Sequence, residues 1–253
     1  MHISAVVLVK NSESTLQKTL ESLKEFDNVV VYDNYSTDKS LQIAMSFNNV
    51  NLVQGEFNGF GWTKNNAASF AKYDWIVTID SDEVVDPLLS HTLLTKELQS
   101  DTVYQLTSNT FYKSKQVKHC GWSNQKVKRV YNRTLTRYNS NNVHEEIMAD
   151  GMKIEVLEGH IDHYSYYSLT QFMMKADYYS TLFAQDNAGK KYSSPKKAFF
   201  NALFSFFKTY FLKGGFLDGY IGLVIALSHM VTNFFKYMKL YELNSKLKIS
   251  EKI

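Results

Sequence analysis

Apolar positions in the first 80 residues switch between two periods. Ile3–Val9 (ISAVVLV) is a β-branched run of strand length with no polar alternation, which predicts a strand covered on both faces. Asn11-Ser12-Glu13-Ser14 then offers capping chemistry, and Leu16, Leu20 and Leu23 recur at helical spacing through Ser14–Phe26. Val29–Tyr32 predicts a second buried strand that ends at Asp33. Thr37-Asp38 caps a helix over Lys39–Phe47, and Val50–Val53 reads as a third strand. Thr63–Ala71 reads as helix, and Trp75–Ile79 (WIVTI) as a fourth strand that ends at Asp80. Strands alternating with helices build βαβ units, so the expected class is α/β with a mostly parallel central sheet.

The pattern then changes. Val103–Thr107 and Val127–Arg137 predict strands separated by polar, aromatic-rich loops, and helix resumes over Leu169–Phe183. Pro195–Leu212 carries six phenylalanines, with Lys196, Lys197, Lys208 and Lys213 around them. After Gly214-Gly215 comes an uncharged run, Gly219–Phe235, of 17 residues. A spanning helix needs about 20 apolar residues, so the expectation is two amphipathic helices lying in a membrane interface. A hydrophobic helical pair that completes a soluble core is the alternative.

Composition sharpens this division. The chain has 253 residues, a net charge of +3 and 44% hydrophobic residues, which excludes disordered and collagen-like chains. Residues 1–186 hold 17 Lys/Arg against 22 Asp/Glu, whereas residues 187–253 hold 11 Lys against three acids. An acidic body argues against nucleic acid as a partner, and a basic, Phe-rich tail suits an anionic membrane surface. The sequence thus predicts a catalytic domain over 1–186 and a membrane-associating helical tail over 187–253. A single cysteine, Cys120, excludes a disulfide framework and multi-cysteine metal sites and suits the cytosol. Met1–Lys10 lacks the basic start and cleavage site of a secretory leader.

The candidate chemistry gathers at strand ends. Asp80-Ser81-Asp82-Glu83 directly follows WIVTI, at the carboxyl edge of the sheet where open α/β folds bind ligands. Carboxylates at i and i+2 suit Mg²⁺ or Mn²⁺ bridging a diphosphate, although an acidic turn alone has the same pattern. Asp33 ends the neighbouring strand and could accept hydrogen bonds from a base or ribose. Gly59-Phe60-Gly61-Trp62-Thr63-Lys64 lacks the third glycine of a dinucleotide fingerprint. It would place Lys64 near a helix start, facing an anion or simply solvent. Val143-His144-Glu145-Glu146 offers a general base or a solvated acidic turn. His160, Asp162 and His163 form a second polar cluster, with His163 a possible metal ligand beside Asp82 or a plain hydrogen-bonded histidine. Arg129, Arg133 and Arg137 would share one strand face, as an anion clamp or as a solvated surface.

The order VVLVKNSE, VVVYDNYSTD, GFGWTKNNA, DWIVTIDSDE and VHEEI resembles the inverting family 2 glycosyltransferases, which have a GT-A, Rossmann-like nucleotide-sugar fold. HIDHYSYYS and FLKGGFLDGYIGL narrow the resemblance to bacterial lipopolysaccharide core glucosyltransferases, over residues 1–241. The resemblance implies that Asp33 meets the uracil, that Lys64 helps hold the nucleotide where arginine is more usual, and that Asp80 and Asp82 hold the ribose and a metal–diphosphate. It maps the base onto Glu145, with Glu146 one residue away, and departs from the usual family base, an Asp in an ED pair. It further implies a UDP-sugar donor, a divalent cation (Mg or Mn), a lipid-linked saccharide acceptor and a cytoplasmic enzyme peripheral to the inner membrane. Two other readings stand beside it. Asp80-Ser81-Asp82-Glu83-Val84 matches the nucleophile motif of haloacid-dehalogenase-like phosphatases, although the downstream acidic pair is missing. A non-catalytic nucleotide-binding membrane module could also keep the fold.

Overall fold

In the computed structural model, which describes residues 2–140 and 145–250, the chain forms two compact units. One comprises Met1–Asn109 and Asn124–His163, the other Thr110–Ser123 and Tyr164–Ile253.

The first unit is built outward from β1 (Ile3–Val9), buried at every position but the half-buried Leu8. β1 runs parallel to β2 (Val29–Asp33) on one side and to β4 (Trp75–Asp80) on the other, and β2 runs parallel to β3 (Val50–Gln54). This is the parallel core that the apolar runs predict. The sheet continues through β8 (Gln125–Asn132), β6 (Thr102–Tyr112), β9 (Lys153–Tyr166) and β5 (Glu83–Val85), in the order β3-β2-β1-β4-β8-β6-β9-β5. β8 is antiparallel to β4 and to β6, and β5 is antiparallel to β9. The register sets Val9 beside Asp33 and Leu8 beside Asp80, so both aspartates stand at the carboxyl edge, on either side of β1.

Helices α1 (Leu16–Ser22), α2 (Ser40–Met45), α3 (Phe60–Ser69) and α4 (Pro87–Thr95) join these strands. Leu16, Leu20 and Leu23 pack with Phe26 against Val7, Val29 and Val77. α1 is shorter than Ser14–Phe26 because Ser12 O accepts from Thr15 N and Leu16 N, and because Leu23 and Phe26 close a tight turn. α3 starts three residues ahead of Thr63. Gly59, at φ 87°, makes the turn into it, a left-handed backbone value that suits glycine. β5 and β9 were not expected. β9 carries scattered polar residues and exposes much of its first half, which hides the period-two signal. β8 ends at Asn132 and not at Arg137.

In the second unit, the end of β6 makes a hairpin with β7 (Lys115–Gln116). α5 (Leu169–Asn187) opens with a capping box, Ser168 with Gln171, and the change of charge at 186/187 falls in its last turn. α6 (Pro195–Phe207) runs into a π-helical turn, Lys208–Leu212, and a 3-10 turn, Gly215–Asp218, and α7 (Tyr220–Ser250) packs against both α5 and α6. Asp218 is buried and accepts the backbone N–H groups of Lys118 (3.2 Å) and His119 (2.8 Å), with the His119 ring 3.0 Å away. This one carboxylate fixes the loop after β7. α6 reverses the usual amphipathic pattern. It buries Ala198 and Ala202, while Phe200 is 67% exposed and Phe204 58%. α7 is the helix, among the described residues, that is long and apolar enough to cross a membrane.

Candidate active site

One face of α3 builds the site. Gly61, Lys64 and Asn65 are three and four residues apart and so lie on one side of the helix. A Cβ on Gly61 would stand 1.9 Å from the backbone oxygen of Asn139, so only glycine lets this segment approach. Asn65 donates to Tyr138 O and accepts from Tyr138 N, both at 2.9 Å, and clamps that residue's backbone as a neighbouring strand would. The Tyr138 hydroxyl lies 2.6 Å from Thr78 Oγ1 on β4. Lys64 is thereby enclosed, with its side chain 5% exposed. Its Nζ lies 5.1 Å over the Tyr138 ring, donates to Glu145 Oε1 at 2.8 Å and sits 3.6 Å from Asp80 Oδ1. Burial disfavours its charge, but Asp80, and with it Glu145, hold the ammonium above its ordinary range. The reading of Lys64 as a solvated lysine is thus replaced by a buried cation between two carboxylates.

A second buried ion network lies alongside. Arg129 Nη2 donates to Asp80 Oδ2 at 2.6 Å and to Glu83 Oε1 at 2.8 Å, and Glu83 Oε2 accepts from the Asp80 N–H at 2.8 Å. Glu83 is 1% exposed. Burial works against ionising Asp80, yet Arg129 and Lys64 outweigh it and hold the carboxyl well below the usual range. Burial pushes the Glu83 carboxyl up, with the Asp80 charge adding to it and Arg129 opposing. Arg129 therefore faces carboxylates, and its freedom to clamp an incoming diphosphate is limited. The three arginines do not share a strand face. Arg133 lies beyond β8 and donates to Ala68 O (2.6 Å) and Ala71 O (3.0 Å), closing the end of α3.

Together Lys64, Asp80, Arg129, Tyr138 and Glu145 line a cleft of about 340 Å³, with Lys126 and Lys128 on its wall. Glu146 pairs with Lys128 at 3.1 Å and its side chain is 65% exposed, against 18% for Glu145. Val143 and His144 of the same motif lie outside the described residues.

Asp82 and His163 meet where β5 pairs with β9. Glu83 is in register with His163, and His163 Nε2 comes 3.4 Å from Asp82 Oδ1. Burial lowers the imidazole's proton affinity, but Asp82 together with the Glu83 and Asp80 charges raises it above normal overall. Among the described residues no group of three or more His, Cys, Asp and Glu side chains could hold a metal ion unaided. One carboxylate and one imidazole, each about a third exposed, still fit a hard divalent cation that takes its other oxygens from a diphosphate and water. His160 stands between Asp86 (3.7 Å) and Asp162 (3.3 Å). Asp33 is buried, with its oxygens accepting from Ser36 N and from Gln54 Nε2 (3.0 Å). Sequence reasoning gives no individual role to Glu83, Tyr138 or Asn65. Glu83 had a readable signal, since it closes the same acidic tetrad as Asp80.

The sequence profile of the family described as Glycosyl transferase family 2 matches residues 4–156. An uncharacterized glycosyltransferase of Rickettsia bellii is 29% identical over 266 residues, covering 96% of this chain and 87% of its own. The lipopolysaccharide core biosynthesis glycosyltransferase LpsC of Rhizobium meliloti is 25% identical over 254 residues, covering 95% of this chain and 92% of its own. The crystal structure of S. aureus TarS 1-349 in complex with UDP overlaps the chain with a TM-score of 0.45 at 16% identity, covering 99% of this chain and 92% of that one. The match spans every strand from β1 to β8 and the whole cleft, and the phosphatase reading of Asp80 gives way to it: the chain belongs to glycosyltransferase family 2.

Proposed function

We propose that the protein is an inverting glycosyltransferase that moves a hexose, glucose by resemblance, from a UDP-sugar to a lipid-anchored saccharide. The observation that carries the reading is the convergence of Lys64, Asp80 and Glu145 in one cleft at the carboxyl edge of the sheet. Asp33 and Asp80 would serve the nucleoside, and Lys64 the diphosphate. Glu145 would take the proton of the acceptor hydroxyl. The acceptor oxygen then bonds to the anomeric carbon while the bond to the diphosphate oxygen breaks and its electron pair leaves with UDP. An α-linked donor gives a β-linked product. Asp82 and His163 would hold a divalent cation, which would supply positive charge at the diphosphate. Asp80 reaches that step already ionised, because Arg129 and Lys64 stabilise its charge.

The test is donor turnover. The full chain is incubated with UDP-, GDP-, CMP- and dTDP-sugars, with Mn²⁺, Mg²⁺ or chelator, and released nucleotide is counted. The expected result is metal-dependent release from one UDP-sugar, lost in Asp82→Ala. Absence of binding to every nucleotide would overturn the reading, and nucleotide binding without transfer to any acceptor would favour the non-catalytic module.

The acceptor class rests on the second unit and on the LpsC relative. Phe200, Phe204, Phe207, Phe211 and Phe216 are about half or more exposed, and Lys196, Lys208 and Lys213 are exposed beside them. A contiguous aromatic face edged with lysine suits an anionic bilayer, here the cytoplasmic face of the inner membrane. Residues 187–253 would be the membrane-associating part, lying on the surface with α7 held by α5 and α6. Full burial of a phenylalanine is worth about 1.5–3 kcal/mol, so a Phe204→Ser/Phe207→Ser/Phe211→Ser variant should lose at least tenfold in partitioning to anionic vesicles. Co-sedimentation checks this, and equal partitioning of variant and parent would refute it.

A further inference from the structure

Lys64 stands at a fork between the donor edge and the base. Its ammonium bonds Glu145 Oε1 at 2.8 Å and reaches Asp80 Oδ1 at only 3.6 Å. Asp80 has a second cation, Arg129 at 2.6 Å, and stays compensated if Lys64 turns away. Among the described residues, the ion pair of Glu145 is with Lys64. A carboxylate oxygen that accepts a charge-assisted hydrogen bond from an ammonium must give up that bond before it can accept one from a substrate hydroxyl. With its partner in place, Glu145 Oε1 is already taken by the ammonium and is not free to meet an acceptor hydroxyl. A diphosphate entering at Asp80, even with a bound divalent cation, presents several anionic oxygens within reach of the ammonium, whereas Glu145 presents one.

We infer that Lys64 couples donor occupancy to the base: it holds Glu145 Oε1 until a nucleoside diphosphate draws it off, so that the carboxylate is free to meet an acceptor hydroxyl only once the donor is bound. This rests on the nucleotide-sugar reading above. The coupled step balances. The acceptor proton passes to Glu145, the new C–O bond forms, and the electron pair of the old one stays on the diphosphate oxygen, which Lys64 now faces.

The experiment measures UDP binding to the full chain by calorimetry in the presence of Mg²⁺. Lys64 must leave Glu145 to meet the diphosphate, so Glu145→Gln, which replaces the competing carboxylate with a weaker, neutral acceptor, should bind UDP about five- to tenfold tighter than the parent. In the Lys64→Met background the same replacement should change the affinity less than about twofold. A Lys64→Arg background should keep the gain and shows that the cleft survives replacement of the lysine. Unchanged or weaker UDP binding in Glu145→Gln would overturn the coupling. A gain that persists in the Lys64→Met background would also overturn it, since simple removal of a negative charge would then explain the effect. A parent chain that binds no UDP would instead overturn the nucleotide-sugar reading itself.

Discussion

Replacing Glu145 with glutamine is expected to lower the transfer rate about 10²–10⁴-fold, the usual contribution of a positioned general base. The loss should fall on kcat. The glutamine keeps the shape of the side chain and can still accept from Lys64, so the cleft is preserved. What is removed is the ability to receive the acceptor's proton. Glu146→Gln should behave differently, because that side chain is 65% exposed and faces Lys128. A change of less than about threefold is expected there, as for loss of an exposed ion pair. Steady-state kinetics of the two variants, with donor and acceptor varied in turn, separates the neighbouring glutamates. A large loss in Glu146→Gln with full activity in Glu145→Gln would reverse the assignment.

Arg129→Met carries the largest expected cost in stability. Its guanidinium alone bonds both Asp80 and Glu83, and Glu83 is almost fully enclosed. Methionine matches much of the arginine stem but leaves carboxylates without their cation. Removing one partner of a buried ion pair costs about 3–5 kcal/mol, and Asp80, being about a third exposed and still near Lys64, favours the lower end. For a chain of this size that is a fall of about 10 °C in the melting midpoint. Adding Glu83→Gln should recover part of the loss, because the uncompensated charge goes with it. Calorimetric melting of the single and double variants checks this, and an unshifted midpoint in Arg129→Met would mean that the network contributes nothing to folding.

The parallel half of the sheet was legible because β1, β2 and β4 are buried over most of their length and bounded by cap residues. Ile3–Val9 and Trp75–Ile79 show this plainly, and the aspartates that follow them stand at the predicted edge. The antiparallel half was harder. β9 buries only every few residues, so its 14 residues carry no clean alternation, and its pairing with β5 brings together residues about 80 positions apart. The same limit applied to the site. Residue types and spacing named Lys64, Asp80 and Arg129 as chemistry-bearing, but not that all three would be drawn into one buried network. That outcome depends on Gly61 and Asn65 docking residues 138–139 onto α3, a contact across about 75 positions that no local pattern announces. Arg133 shows the reverse error, since a residue that looked like part of an anion clamp caps a helix end.

Asp218 belongs to the FLKGGFLDGYIGL segment, by which the sequence most narrowly resembles a subgroup of its family. In the folded protein that carboxylate gathers backbone amides from the loop after β7. The most distinctive signature of the chain is therefore architectural. A search keyed to it would collect proteins that share a framework and would say little about which sugar each one carries. Donor preference would have to be sorted by the residues lining the cleft, so two proteins could share the signature perfectly and differ in product.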